Sequence, residues 1–442
     1  MQKIPSIGIV SLGCAKNLVD TQRLTSLLVA RGYQIKDEYD SCDLIIVNTC
    51  GFIAPAIKES LGAIGVALEH SQKVIVMGCL GSNDKLILQN YPNVLAVYGP
   101  GMRASVMRGV IKAIGEPPQD AVQRVNPSGI LLTPPHYAYV KVAEGCRHRC
   151  SFCIIPKLRG PLRSRSVEHI YAECSDLVKN GVKELLVIAQ DSSDYGIDLK
   201  EKSSIYDLCL KLSELKRWIR VHYVYPSAAA DRLVELMADR KIVPYIDVPL
   251  QHAHPDVLKA MRRPGNIEKT LKTIERWREI CPDIAIRSTF IAGFPGETHE
   301  QFNFLLDFLK EAKLDRVGCF AYSDVEGASA NSIEPSVPFD VRQDRVAQLM
   351  ELQEQISYAK LQQRIGKSYE IIVDSVTDEH VAIGRSMYES PDIDGQIFIE
   401  DARGIRAGDI VKAIITQADA HDMNAMLPSK YHQSTIPFAK LD

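Results

Sequence analysis

Six of the eleven cysteines stand in arrangements that could bind a metal cluster. Three of them, Cys146, Cys150 and Cys153, are spaced Cys-x-x-x-Cys-x-x-Cys directly after a predicted strand, and we call them the loop cysteines. Four-iron clusters normally take four cysteine thiolates, so three thiolates leave one iron open for a small molecule. Zinc completed by His148 or Cys174 is the alternative, but the sequence lacks the matching second half that closed zinc sites usually carry.

The other three, Cys14, Cys50 and Cys79, are far apart in the chain, and we call them the N-terminal cysteines. Each ends an apolar run, in the stretches GIVSLGC, LIIVNTC and VIVMGC. Because the carboxyl ends of parallel strands converge on one crevice, we expect these thiols to meet and to hold a second cluster, again one ligand short. Ordinary packing is the alternative, and it is our interpretation of the remaining cysteines. These are Cys42, Cys174, Cys209, Cys281 and Cys319.

The elements that must position these cysteines indicate an α/β multidomain protein. Residues 1–115 alternate apolar runs with helical patterns, which predicts a parallel α/β sheet domain, and the proline-rich residues 116–137 predict a linker. Residues 138–335 repeat a strand–helix unit about six times, which predicts a partial (β/α)6 barrel with the loop cysteines at a carboxyl strand end. Residues 336–365 predict a connecting helix, and the period-two pattern of residues 366–442 predicts a small antiparallel β-barrel.

Composition sets the class of protein. The chain has 442 residues, of which 24% are charged and 46% hydrophobic, so we expect a globular protein of two to four domains. The eleven cysteines form no dense disulfide cluster, the N-terminus lacks a signal-peptide pattern, and no run is long enough to span a membrane. We therefore expect a cytoplasmic protein whose thiols stay reduced.

The charge is uneven although the formal net charge is only −3. Seven Lys or Arg against one Glu make the stretch from Lys141 to Arg165 strongly basic, which would offset the charge of a thiolate cluster. From Gly366 to Asp442, seven Lys or Arg stand against thirteen Asp or Glu. An acidic barrel is poorly suited to phosphate contacts, so we do not expect it to bind nucleic acid directly, and it would attract a basic protein instead.

The run EGCRHRCSFCIIP resembles the cluster motif of radical S-adenosylmethionine (SAM) enzymes. Together with the N-terminal cysteines and the terminal barrel, the chain resembles the methylthiotransferases, in which a cluster-binding domain and a TRAM domain flank a radical-SAM core. The stretches SLGCAKNLVD, AEGCRHRCSFCIIPKLRG and GRSMYESPDIDG are similar to signatures of the RimO branch, which modifies a ribosomal protein. The tRNA-modifying branch usually reads Gly-Cys-Gln-Met-Asn where this chain has Gly13 to Asn17.

This resemblance implies an enzyme with two 4Fe-4S clusters, the first on the N-terminal cysteines and the second, which binds SAM, on the loop cysteines. Reductive cleavage of SAM would give a radical that takes a hydrogen from the β-carbon of an aspartate in small-subunit ribosomal protein twelve. The first cluster would deliver sulfur, and a second SAM would supply the methyl group. An electron donor such as a flavodoxin or ferredoxin is also implied. The alternatives are a tRNA adenosine methylthiotransferase and, in a different class, a non-catalytic zinc-binding module.

Four residues are candidate contacts for SAM. Phe152 lies beside the last loop cysteine, and Gln190 follows another predicted strand, where a polar side chain could hydrogen-bond SAM. Gly293 and Pro295 lie in the turn of FIAGFPGET, where glycine would let the backbone approach the adenosyl part. A plain strand–helix turn explains that stretch equally well.

Overall fold

The N-terminal part of the chain forms an open parallel sheet covered by helices. The computed structural model describes residues 3–123, 125 and 129–428. The sheet order is β2-β1-β3-β4-β5, with every pairing parallel, and its central strand is buried on both faces, as its continuous apolar run predicts. The elements are β1 (Ser6–Ser11), α1 (Ala15–Ala30), β2 (Gln34–Lys36), β3 (Leu44–Thr49), α2 (Ala54–His70), β4 (Val74–Gly78), α3 (Asp84–Asn90), β5 (Ala96–Val97) and α4 (Arg103–Ile114).

The middle part is the predicted partial barrel. Six parallel strands run in the order β6-β9-β10-β11-β12-β13, and a two-stranded hairpin of β7 and β8 closes the base of the loop that carries the loop cysteines. The elements are β6 (Tyr137–Lys141), β7 (Ala143–Glu144), α5 (Ile155–Arg159), β8 (Arg163–Ser164), α6 (Val167–Lys179), β9 (Glu184–Ile188), α7 (Ile205–Ser213), β10 (Trp218–Val221), α8 (Ala228–Ala238), β11 (Tyr245–Asp247), α9 (Pro255–Ala260), α10 (Ile267–Ile280), β12 (Ala285–Ala292), α11 (His299–Ala312) and β13 (Arg316–Ala321).

A long helix leads from the partial barrel to a closed five-stranded barrel. The barrel order is β14-β15-β16-β18-β17, and the pairing of β16 with β18 is parallel, so the predicted barrel is antiparallel at four of its five pairings. Residues 429–442, and residues 124 and 126–128 of the predicted linker, lie outside the described residues. The elements are α12 (Phe339–Gln362), β14 (Ser368–Val376), β15 (Ala382–Arg385), β16 (Ile397–Ile399), β17 (Ile410–Ala418) and β18 (Met423–Met426).

The segment 384–395, the junction loop, joins the closed barrel to the amino-terminal ends of the partial-barrel strands. Glu184, the first residue of β9, is fully buried and accepts hydrogen bonds from Arg220 (2.8 Å) and from Arg385 of the junction loop (2.5 Å). Removing one partner of such a buried ion pair is strongly destabilising. The ion pair between Arg385 of the junction loop and Glu184 therefore helps to hold the closed barrel against the partial barrel.

Acid should weaken this junction through Glu389. Its buried carboxylate accepts from Arg364 (2.5 Å) and from Arg316 (3.4 Å). Burial raises the pKa of Glu389, but the two arginines and Ser386 outweigh burial and bring the pKa down from 4.5 to about 2. A carboxyl group with a lowered pKa stabilises the fold above its ordinary pKa and loses that contribution as the pH falls towards about 2.

We therefore expect Glu389→Gln to lower the urea midpoint most at pH values above about 5, with the difference from the unsubstituted protein shrinking as the pH approaches 2. Trp218 lies in the same apolar cluster as Met387 of the junction loop, so its fluorescence should report the transition. The exposed barrel residue Glu370, changed to Gln, is the control. A difference in urea midpoint between the Glu389→Gln variant and the unsubstituted protein that does not vary with pH would contradict a stabilising role for the Glu389 carboxylate.

Candidate functional site

The loop cysteines lie at the carboxyl end of β6, where α/β barrels carry their chemistry. The loop is held at its centre by Ser151, which donates its N–H to the Met261 carbonyl (3.1 Å) and its hydroxyl to the Ala260 carbonyl (2.7 Å). Gly145 starts the loop with φ +73°, and a Cβ there would collide with the Pro161 carbonyl. The loop is thus fixed by backbone contacts, so its thiols are positioned before any ligand binds.

Backbone amides point at the sulfurs of this loop. The His148 N–H donates to Cys146 Sγ and the Ile155 N–H donates to Cys153 Sγ, both at 3.4 Å. Burial raises the pKa of Cys146 to about 11 and that of Cys153 to about 12. These thiols are therefore protonated at neutral pH without metal, and a bound metal would have to displace the protons.

The structure argues against zinc completed by either residue that the sequence offered. His148 Nε2 lies 2.6 Å from Asp191 Oδ2 and 3.4 Å from Asp194 Oδ2, and its ring stacks on Tyr225 at 4.2 Å. Cys174 is fully buried in the core of the partial barrel. His148 therefore contacts carboxylates and Cys174 packs in the core, so neither side chain is placed to complete a zinc site with the loop cysteines.

The N-terminal cysteines follow β1, β3 and β4, and the structure brings them together at one sheet edge. A Cβ on Gly13 would lie 2.8 Å from Cys50 Cβ, so the segment carrying Cys14 touches Cys50. The Cys79 N–H donates to the carbonyl of the residue before Cys50, at 2.9 Å. The side-chain amide of Asn17 donates to the carbonyl of the residue after β1 (3.1 Å) and to the carbonyl of the last residue of β3 (2.9 Å), which joins the two strand ends.

Sequence reasoning missed a buried polar network that joins the two cysteine sets. Arg159, in α5 after the loop cysteines, has a side chain only 2% exposed, and its Nε donates to Cys79 Sγ at 3.3 Å. The same guanidinium pairs with Asp20 of α1 (3.2 Å) and Glu144 of β7 (2.9 Å), and Lys141 contacts both carboxylates. Two cations of the basic stretch from Lys141 to Arg165, Lys141 and Arg159, therefore lie inside a domain interface. Their basic sequence neighbourhood does not indicate that they are buried.

The two cysteine sets face each other across this interface. Lys16, two residues after Cys14, lies with its Nζ 3.3 Å from the centre of the Tyr223 ring and 3.5 Å from the Ala189 carbonyl, at the carboxyl ends of β10 and β9. Burial raises the pKa of Cys14, but Lys16 and the Asn17 N–H outweigh burial, so the net pKa of this thiol is lowered. The edge of the sheet that carries the N-terminal cysteines thus covers the open end of the partial barrel.

The four candidate SAM contacts have different surroundings. Gln190 donates to Glu144 (3.1 Å), while its Oε1 is buried and has no hydrogen-bond partner among the described residues. Phe152 is half-buried against the apolar cluster that holds Phe294. Pro295 is buried in the turn after β12. Gly293 (φ +71°) is packed so closely against Arg342 that a Cβ would collide with it, which accounts for this glycine without SAM.

Both cysteine sets fit a cluster better than a single zinc ion. Among the residues the structure describes, His148, Asp191 and Asp194 form a trio whose possible ligand atoms all lie within 4.8 Å of one another. The sulfurs of each cysteine set are farther apart than that. Tetrahedral zinc with bonds of about 2.3 Å would need its sulfurs about 3.8 Å apart. The wider spacing, the amide donors at the sulfurs and the unpartnered Gln190 oxygen suit a larger inorganic group with a polar ligand beside it.

Comparison with known proteins agrees with this geometry. The Radical SAM superfamily model matches residues 140–309, the model described as Uncharacterized protein family UPF0004 matches residues 6–99, and the TRAM domain model matches residues 365–427. The ribosomal protein uS12 methylthiotransferase RimO of Proteus mirabilis is 50% identical over 432 residues, which cover 95% of this chain and 97% of that protein. The chain belongs to the RimO family. The protein of the same description from Azoarcus sp. strain BH72 is 51% identical over 434 residues, 96% of this chain and 98% of that protein.

Membership of the RimO family makes this chain a radical SAM methylthiotransferase whose cofactors are 4Fe-4S clusters and SAM. It overturns the alternative of a non-catalytic zinc module. The radical SAM methyltransferase TsrM from Kitasatospora setae has the same fold over 72% of each chain, with a TM-score of 0.52 at 15% identity. None of the helices formed by the described residues is long and apolar enough to cross a membrane.

Proposed function

We propose that this enzyme inserts a methylthio group at the β-carbon of an aspartate in ribosomal protein uS12. The observation that carries the proposal is identity of about 50% over nearly the whole chain to proteins named for that substrate. A tRNA adenosine is the second candidate, because the methylthiotransferases that the sequence resembles include a tRNA-modifying branch with the same chemistry. The acidic count of residues 366–442 favours the basic protein.

In this proposal the loop cysteines hold the cluster that binds SAM and the N-terminal cysteines hold the other. The bound clusters and SAM supply the radical and sulfur chemistry. The chain's own groups fix the thiols, donate amides to Cys146 and Cys153 Sγ, and offer the free Gln190 oxygen to a polar part of SAM. Phe152, Gly293 and Pro295 stay proposed contacts.

A cavity of about 340 Å³ inside the partial barrel is the proposed place for the target side chain. Its walls include Cys14 from the N-terminal domain, Tyr139 and His222 from the partial barrel, and Ser390 and Asp392 from the junction loop. The Tyr139 hydroxyl donates to Asp392 (3.1 Å), and Ser390 Oγ lies 3.1 Å from His222 Nε2. The cavity thus extends from one cysteine of the N-terminal set to the junction loop.

The test is mass spectrometry after incubation of the anaerobically reconstituted enzyme with SAM, a reductant and either substrate. We expect uS12 to gain the mass of one methylthio group in place of hydrogen, on an aspartate, while tRNA stays unchanged. A uS12 variant with alanine at the modified position should gain no mass. A gain on tRNA alone would transfer the proposal to the second candidate.

Four further points belong to the proposal. A flavodoxin or ferredoxin would donate the electron, and the enzyme would act in the cytoplasm, where its thiols stay reduced. The closed barrel would bind protein and not nucleic acid. The domain boundaries remain as predicted, at residues 1–115, 138–335 and 366–442, with a linker and a helix between them.

A further inference from the structure

A cleft of about 1170 Å³ separates the N-terminal domain from the partial barrel, and it is distinct from the cavity proposed for the target side chain although Tyr139 lines both. Helices α1 and α4 form one wall, and β8 with the second half of α6 forms the other. Asp20, Lys141 and Glu144 line its floor and belong to the buried network that reaches Cys79 through Arg159. The cleft is therefore continuous with the interface between the two cysteine sets.

The cleft carries an excess of arginine. Two arginines from opposite walls, Arg23 and Arg165, share Glu173 (3.6 and 2.5 Å). Three more on the N-terminal wall, Arg31, Arg103 and Arg108, have no carboxylate partner within the described part of the chain. Because the whole chain has a net charge of −3, this excess is local. The opposite wall adds Arg163 beside Arg165, so guanidinium groups line both sides of a concave surface and make a site for a polyanion.

We propose that this cleft binds the phosphate backbone of RNA. Arginine forks match phosphate oxygens, and a cleft with cations on both walls suits a narrow charged strand better than the convex face of a folded protein. Of the described residues that line the cleft, Tyr139 alone is aromatic, which favours backbone contacts without base stacking. The inference rests on the proposed function in one respect: a ribosomal protein bound to its RNA would present such a strand beside the target residue.

The test is binding of a labelled single-stranded RNA of about 20 nucleotides to the full chain, followed by fluorescence anisotropy. The triple variant Arg31→Glu, Arg103→Glu, Arg108→Glu should bind at least about tenfold more weakly at about 0.1 M salt, and the slope of log affinity against log salt should fall by about two. Arg31 and Arg108 are exposed, and Arg103 is the first residue of α4, where glutamate suits the helix dipole, so we expect the triple variant to fold.

The control triple Arg217→Glu, Lys259→Glu, Lys272→Glu changes the net charge equally at exposed positions outside the cleft. Equal weakening by both triples, or no RNA binding by the unsubstituted protein, would overturn the proposal. Displacement of the RNA by poly-glutamate at matched charge would also overturn it, in favour of an acidic protein partner.

Methylthio insertion into free uS12 and into the assembled small subunit, measured side by side, tests this inference separately from the proposed function on which it rests. Both triples should modify free uS12 as the unsubstituted enzyme does, whereas the cleft triple alone should lose activity on the assembled small subunit. Equal activity of the cleft triple on both substrates would contradict a role for the cleft in recognising the subunit. If no protein modifies either substrate, the proposed function fails while the RNA-binding measurement stands or falls by itself.

Discussion

Replacing Cys14, Cys50 and Cys79 with alanine should abolish methylthio insertion and leave SAM cleavage intact. The reason is that the loop cysteines are fixed within the partial barrel, by Ser151 and by the β7–β8 hairpin, and need no backbone contact from the N-terminal strand ends. The measurement is 5′-deoxyadenosine release beside substrate mass. Iron content should fall from about eight to about four per chain.

The reciprocal variant, with Cys146, Cys150 and Cys153 replaced, should lose both reactions while keeping about four irons. Replacing Cys42 and Cys319, which lie outside both sets, controls for general loss of thiols and should change neither reaction. Loss of SAM cleavage in the first variant, with its remaining iron in place, would contradict the division of roles between the two sets.

Arg159→Met should destabilise the docking of the N-terminal domain by about 3 kcal/mol, because it leaves Asp20 and Glu144 with Lys141 as their one remaining cation inside a buried interface. It also removes the donor to Cys79 Sγ. We expect a lower thermal midpoint by circular dichroism. In a chain that lacks the loop cysteines, we expect less iron on the N-terminal set.

Arg163→Met is the matched control, since Arg163 lies four residues further along the same segment, is exposed and contacts no cysteine among the described residues. Arg159→Lys should recover part of the stability through charge alone but not the guanidinium contact to Asn17 and Cys79. A midpoint and an iron content equal to those of the unsubstituted chain would show that the contact is incidental.

Local sequence pattern was sufficient to predict the secondary-structure elements and to predict which cysteines form two sets. The apolar runs before Cys14, Cys50 and Cys79 predict strands, and because parallel strands end at one edge, they also predict that the thiols meet. The connecting helix predicted within residues 336–365 and the long barrel strands follow the same logic of period and burial. Spacing alone likewise selects Cys146, Cys150 and Cys153.

A regional charge count does not show which charges are exposed in the folded protein. Residues 366–442 look uniformly acidic in sequence, yet Asp374 and Glu389 are paired with arginines at the junction, so a formal count overstates the exposed acidic surface. The basic stretch around the loop cysteines likewise hides Lys141 and Arg159 in an interface. A count of charges along the chain carries no information on which of them leave water.

By itself the sequence determined the three-part fold, the two cysteine sets and the family resemblance, because period, spacing and strand-end position are local properties of a chain. The tertiary structure alone decided that His148 faces two carboxylates and that Arg159 links the loop segment to Cys79. It also decided that three arginines with no carboxylate partner among the described residues, Arg31, Arg103 and Arg108, face a cleft with Arg23 and Arg165. Those outcomes depend on contacts between residues more than forty positions apart, which are set by how the domains pack.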